Sequence, residues 1–218
     1  MMAHMKVIVF GATGMVGQGV LRECLEAADV DEVLVVTRKP TGEQHPKLKE
    51  LLHQDFGSYT GVDFAPYDAC FFCLGVSSVG MAKADYRRIT YDYTLAAARA
   101  MQEQHPGMTF VYVSGAGTNT QGRATWAQVK GRTEDDLITL NPHAYAFRPG
   151  FIQPLRGVRS KVWWYRVAYT VGWPLGAALV RFAPGIATTS VQIGRAMLQV
   201  ARTNPPKRVY ESRDIAAG

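Results

Sequence analysis

Three glycines, in the run Gly11-Ala-Thr-Gly14-Met-Val-Gly17, stand at a spacing that offers backbone rather than side chain to a ligand. A compact apolar run, Lys6 to Phe10, precedes them, and a helical pattern, Met15 to Ala27, follows. Gly11 permits a tight turn, Gly14 lets a bulky anion approach the main chain, and Gly17 lets the helix lie close to the strand. First-turn amides have no intrahelical partner and sit at the positive end of the helix dipole. A pyrophosphate suits that position. The strand before and the helix after are the context that separates a dinucleotide fingerprint from a chance triplet. The next apolar run ends in Thr37-Arg38-Lys39. A carboxylate there would accept hydrogen bonds from ribose hydroxyls, but this chain presents two cations instead. Arg38 can grip a phosphate with two parallel hydrogen bonds and lie flat on a purine. With Lys39 beside it, the expected cofactor is NADP(H), with NAD(H) less favoured.

Such a site needs a scaffold of parallel strands. The reading places strands at Glu32 to Thr37, Leu48 to Phe56, Asp68 to Leu74, Met108 to Ser114 and Ala144 to Phe147, with helices at Tyr86 to Gln104 and Thr125 to Leu140. Strands alternating with helices predict an α/β fold, a doubly wound parallel sheet of Rossmann type covered on both faces. After Gly150 the pattern changes. Val162 to Phe182 carries Trp163, Trp164, Tyr165, Tyr169 and Trp173, followed by a helix at Thr188 to Val200 and a short strand at Val209 to Ser212. That tail is too short to fold alone. Residues 1–218 are therefore read as one domain, with 151–190 as a substrate-cleft or lid extension.

Composition narrows the class. The chain has 218 residues, 47% of them hydrophobic, and a formal net charge of +6 with no run of five basic residues. Scattered charge lacks the clustered footprint of a nucleic-acid binder. Three cysteines, Cys24, Cys70 and Cys73, suggest free thiols in a reducing compartment. Cys70 and Cys73 lie three apart on a strand, so they point to opposite faces and no metal site is expected. The most apolar segment, Val167 to Val180, is interrupted by Gly172, Pro174 and Gly176. It falls short of the roughly 20 residues that span a bilayer. A cytoplasmic protein is the expectation.

Taken together these residues resemble the atypical short-chain dehydrogenase/reductase family, especially its small Tat-interacting-protein-like, NADP-binding branch. The resemblance covers nearly the whole chain. It rests on the Gly11-to-Gly17 fingerprint, Cys73-Leu74-Gly75, Val113-Ser114-Gly115, Lys130-xxx-Glu134-xx-Leu137 and Arg148-Pro149-Gly150. It implies that Thr13, Met15 and Val16 line the pyrophosphate turn and that Arg38 holds the 2′-phosphate. It further implies that Asp55 and Phe56 flank adenine, that Leu74 and Gly75 lie beside the ribose, and that Lys130 hydrogen-bonds the nicotinamide ribose. Pro149, Gly150 and Ile152 would border the nicotinamide, and Ser114 would polarise a substrate oxygen.

One position departs from the family pattern. The tyrosine expected one helical turn before Lys130 is Trp126. A lysine one turn away depresses a phenol's pKa, whereas an indole N–H is a hydrogen-bond donor only. Tyr86, Tyr91 and Tyr93 are alternative proton donors, and protonation by water is another route. Two function classes therefore stay open. One is an NADP(H)-dependent oxidoreductase acting on a small carbonyl or alcohol, which the aromatic cluster at 163–173 favours. The other is a catalytically silent NADP(H)-sensing protein that binds a protein partner.

Overall fold

The computed structural model describes residues 4–153 and 187–217. Seven strands form one parallel sheet in the order β3-β2-β1-β4-β5-β6-β9. They are β1 (Met5–Phe10), β2 (Val30–Thr37), β3 (Leu48–Leu52), β4 (Ala69–Phe72), β5 (Thr109–Val113), β6 (Ala144–Arg148) and β9 (Val209–Glu211). The order reverses beside β1, which pairs with both β2 and β4. Ligands in such sheets bind beyond the carboxyl ends of the strands at this reversal.

Alternation along the strands builds two cores. Val7, Val9, Val33, Val35 and Phe71 face one side, under α1 (Met15–Glu26) and α5 (Ser190–Thr203). Ile8, Phe10, Leu34, Val36 and Phe72 face the other. That second side is covered by α3 (Tyr93–Gln104), with α4 (Thr125–Leu140) contributing Leu137. Cys70 is buried in the second core, while Cys73 packs against the first. The two thiols therefore serve different faces, as the alternation requires. A bidentate pair from Arg202 to Asp29, both contacts at 2.7 Å, ties α5 to the start of β2.

Several boundaries differ from expectation. The third strand stops at Leu52 rather than Phe56, because the Asp55 carboxylate accepts the Gly57 N–H at 2.9 Å and turns the chain. The long helix starts earlier, at α2 (Lys83–Arg87), and passes through a π-helical turn at Arg88–Asp92 before α3. The helix expected from Thr188 begins at Ser190. There Thr189 and Gln192 form a capping box, each side chain accepting the other's backbone N–H at 3.1 and 2.9 Å. Three short elements had no sequence signal. Two are β7 (Phe151–Gln153) and β8 (Ala187–Thr189), which pair in parallel, and the third is α6 (Ser212–Ala217). The β7–β8 pair joins the two ends of the 151–190 extension. The aromatic cluster at 163–173 lies outside the described residues.

Candidate functional site

The glycine turn has the geometry its spacing predicts. Gly11 sits at φ +71°, and a Cβ there would lie 2.6 Å from the Cys73 carbonyl oxygen. A Cβ on Gly17 would lie 2.1 Å from the Gly11 carbonyl oxygen, so only hydrogen lets α1 close onto the turn. The Gly14 N–H donates to the Gly11 carbonyl at 2.8 Å. Gly14 caps α1 with no side-chain hydrogen bond, and the first turn carries no acidic residue. Thr13, Met15 and Val16 are half-buried around this end. An uncapped helix start without a competing carboxylate is a cradle for an anion. These residues fit the diphosphate of a dinucleotide.

Beside the turn lies a hollow of about 500 Å³, lined by Thr13, Thr37, Arg38, Lys39, Pro40 and Gln54. Arg38 and Lys39 are exposed at its mouth. Two contacts shape their backbone: the Thr37 hydroxyl donates to the Lys39 carbonyl at 2.8 Å, and the Gln54 amide donates to the Arg38 carbonyl at 2.9 Å. Gln54 carried no sequence signal, and Thr37 stood there only as the end of a strand. Asp55 follows Gln54 and is exposed, whereas the Phe56 ring is buried with its centroid 6.0 Å from those of Phe10, His53 and Tyr93. Leu74 is half-buried and Gly75 exposed, just past the end of β4.

A second cluster forms past β5. The Lys130 ammonium donates to the carbonyls of Ser114 at 2.9 Å and Val113 at 3.3 Å, over the Tyr112 ring. Lys130 is thus a half-buried, tethered group rather than a solvated helix lysine. Burial pushes its pKa down to about 8, partly offset by the Glu134 carboxylate. Ser114 is buried, and its hydroxyl lies 3.0 Å from that of Thr118, which itself donates to the Gly115 carbonyl at 2.7 Å. Thr118 has one proton to give, so within this pair Ser114 is the donor and keeps its lone pairs free. Thr118 carried no sequence signal, standing four residues beyond Ser114 across a glycine-containing loop. Trp126 lies on α4, and its ring edge comes 3.5 Å from where a Cβ of Gly117 would sit. The indole therefore packs on the loop that carries Ser114 and Thr118.

The other tyrosines are engaged elsewhere. Tyr91 donates to Asp136, whose hydrogen bond raises the phenol pKa, and burial raises that of Tyr86. Both shifts oppose the depression that a tyrosine–lysine pair produces. Tyr93 packs beside Phe56.

Two distant motifs meet here. Glu134, one turn after Lys130, is buried and receives the Arg148 guanidinium, with Nε contacts of 3.1 and 3.0 Å. Arg148 leads into Pro149 and Gly150, so the ion pair fixes that segment against α4. Pro149 is buried, and Gly150 and Ile152 are half-buried. Among the described residues no group of three or more His, Cys, Asp or Glu could hold a metal ion. Among them, too, no helix is long and apolar enough to cross a membrane.

Comparison with known proteins places this geometry. Residues 7–146 match the model of the NAD dependent epimerase/dehydratase family. The chain is 25% identical over 228 residues to "Protein FMP52-1, mitochondrial" of Scheffersomyces stipitis, covering 97% of each chain. Among solved structures it is similar to the Bordetella bronchiseptica enzyme WbmF in complex with NAD+, at TM-score 0.70 and 15% identity. That match covers 99% of this chain and 77% of the other. A short-chain dehydrogenase/reductase family oxidoreductase from Burkholderia thailandensis matches at TM-score 0.69 and 14% identity, covering 99% and 94%. The expectation of a cytoplasmic protein is corrected by the relatives, several of which are named as mitochondrial. Free thiols call for a reducing compartment without saying which one.

Proposed function

The chain belongs to the NAD dependent epimerase/dehydratase family, and from that premise we propose that it binds NADP(H) and acts as an oxidoreductase on a small carbonyl or alcohol. Within the family we assign it to the Tat-interacting-protein-like, NADP-binding branch. Support for that assignment comes from Lys130-xxx-Glu134 and Arg148-Pro149-Gly150. One observation carries the cofactor reading: Thr13 of the glycine turn and the cations Arg38 and Lys39 line a single hollow. In this reading the amides opening α1 take the diphosphate, and Arg38 and Lys39 neutralise the 2′-phosphate. Asp55 and Phe56 lie on the adenine side, Leu74 and Gly75 beside the ribose. Lys130 orients the second ribose, and Pro149, Gly150 and Ile152 border the nicotinamide.

When bound, the nicotinamide cofactor supplies or takes up a hydride. The protein's own part is to hold the substrate oxygen and handle its proton. Ser114 accepts from an alcohol in its present hydrogen-bonding state. To donate to a carbonyl it must release Thr118, at a cost of about 1 kcal/mol. The Lys130 ammonium adds positive charge next to the same residue.

A second reading, a catalytically silent NADP(H) sensor with a protein partner, is favoured by Trp126, which puts a non-titrating ring over the Ser114 loop. Two measurements test these readings. Arg38→Ala should remove most of the preference for NADPH over NADH in calorimetry, and an unchanged preference refutes the role given to Arg38. Stopped-flow oxidation of bound NADPH across a carbonyl panel should show turnover. If nothing in a broad panel is reduced, the oxidoreductase reading gives way to the sensor.

A further inference from the structure

The segment Arg148-Pro149-Gly150 is gripped from two sides. From the β5 side, Ser114 N–H donates to the Phe147 carbonyl at 2.7 Å and Ala116 N–H to the Pro149 carbonyl at 2.9 Å. From the other side the grip comes from the C-terminal end of the chain. The Gly150 N–H donates to the Ser212 hydroxyl at 2.7 Å, and the Arg148 guanidinium reaches the Glu211 carboxylate at 3.2 Å. Arg148 and Glu211 also face one another in the β6–β9 register.

This clasp is built firmly enough to hold position. Ser212 is buried at the start of α6, and Ile215 in the same helix is fully buried in the first core. The Glu211 N–H donates to the Asp214 carboxylate at 2.9 Å, and Lys207 pairs with that carboxylate at 2.6 Å. A backbone N–H shielded from water needs a partner. Here the partner is a hydroxyl delivered from 62 residues further along the chain. Without it that peptide would be held only through its Pro149 carbonyl, by Ala116, and Gly150 has no side chain to add a second constraint.

We propose that Ser212 is a positioning residue for the nicotinamide half of the cofactor, holding the Gly150 peptide so that the Arg148–Gly150 backbone forms a fixed wall beside the ring. The inference rests on the NADP(H) reading above. Its consequence is a split along the cofactor. The adenosine half meets the start of α1, Arg38 and Lys39 at β1 and β2, whereas Ser212 follows β9 at the other edge of the sheet, so only the nicotinamide half should feel the loss of Ser212.

The test titrates the full chain with NADPH and, separately, with 2′,5′-ADP, which keeps the 2′-phosphate and lacks nicotinamide. Ser212→Ala should weaken NADPH binding about fivefold to tenfold, the scale of one hydrogen bond, and alter the fluorescence of bound NADPH. It should leave 2′,5′-ADP affinity within about twofold, and Ser212→Thr should restore the native values. If Ser212→Ala does not fold, Glu211→Gln loosens the same segment from its exposed side and should give a smaller split in the same direction. Equal weakening of both ligands, or no change in either, overturns the role of Ser212 while native NADPH binding keeps the cofactor reading intact. A native chain that binds neither ligand overturns both.

Discussion

Breaking the Glu134–Arg148 pair should cost different amounts from its two ends. The Glu134 side chain is 2% exposed and the Arg148 side chain 25%, and Arg148 has a second carboxylate partner, Glu211, itself half-exposed. Arg148→Met removes the cation and strands a buried carboxylate, which costs about 3–5 kcal/mol in such pairs. Glu134→Gln keeps the shape and one acceptor, and leaves the guanidinium on Glu211 and in reach of water. Its cost should be about 1–3 kcal/mol, the range for a hydrogen bond to a charged group. Urea unfolding followed by circular dichroism reads the difference. With a slope of about 2 kcal/mol per molar, Arg148→Met should lower the midpoint by roughly 1.5–2.5 M and Glu134→Gln by roughly 0.5–1.5 M. The double variant should cost less than the two single losses added together. Equal losses from either end, or losses below about 0.5 kcal/mol for both, would refute the argument that burial on the Glu134 side sets the energetics.

Three further outcomes follow from the same geometry. Lys130 has its pKa lowered to about 8 by burial, so the unfolded chain binds more protons than the native one between about pH 8 and 10.5. The native state should therefore gain stability relative to Lys130→Met as pH rises through that window, read as a difference in urea midpoints; a flat difference contradicts the shift. Gly17→Ala puts a methyl 2.1 Å from the Gly11 carbonyl oxygen and should destabilise by about 1–3 kcal/mol and abolish NADPH uptake in a fluorescence titration. A variant that melts and binds like the native chain would mean that α1 does not rest on the turn. Trp126→Tyr restores a phenol one turn from Lys130 and should raise NADPH oxidation with a carbonyl substrate by a factor on the order of 10²–10⁴. No gain would show that more than the phenol separates this site from turnover.

Local features were legible in the sequence, and long-range ones were not. The Gly11–Gly17 turn could be read because strand, turn and helix are contiguous and each glycine answers a nearby backbone constraint. The alternation of strands with helices likewise announced a sheet covered on both faces, and the structure sets Val7 and Val9 in one core and Ile8 and Phe10 in the other. The third strand was drawn too long because the Asx turn at Asp55 depends on side-chain geometry that hydrophobic pattern does not encode. Short β7 and β8 escaped because each is stabilised by a partner more than thirty positions away. The same limit hid the chemistry past β5. Lys130, Glu134 and Arg148 stood out singly, but the ion pair joining two of them and the Thr118 hydroxyl beside Ser114 arise only when the chain has folded. Ser212 was invisible for the same reason, since its partner is a backbone N–H that carries no residue signature.

Uptake of nicotinamide dinucleotides by the native chain, measured by calorimetry at near-physiological salt, tests the central claim most directly. NADPH and NADP+ should bind, with NADPH favoured over NADH by a factor on the order of ten or more, as expected for a charge-assisted contact to the 2′-phosphate. An absence of binding heat with all four oxidised and reduced coenzymes would contradict the account.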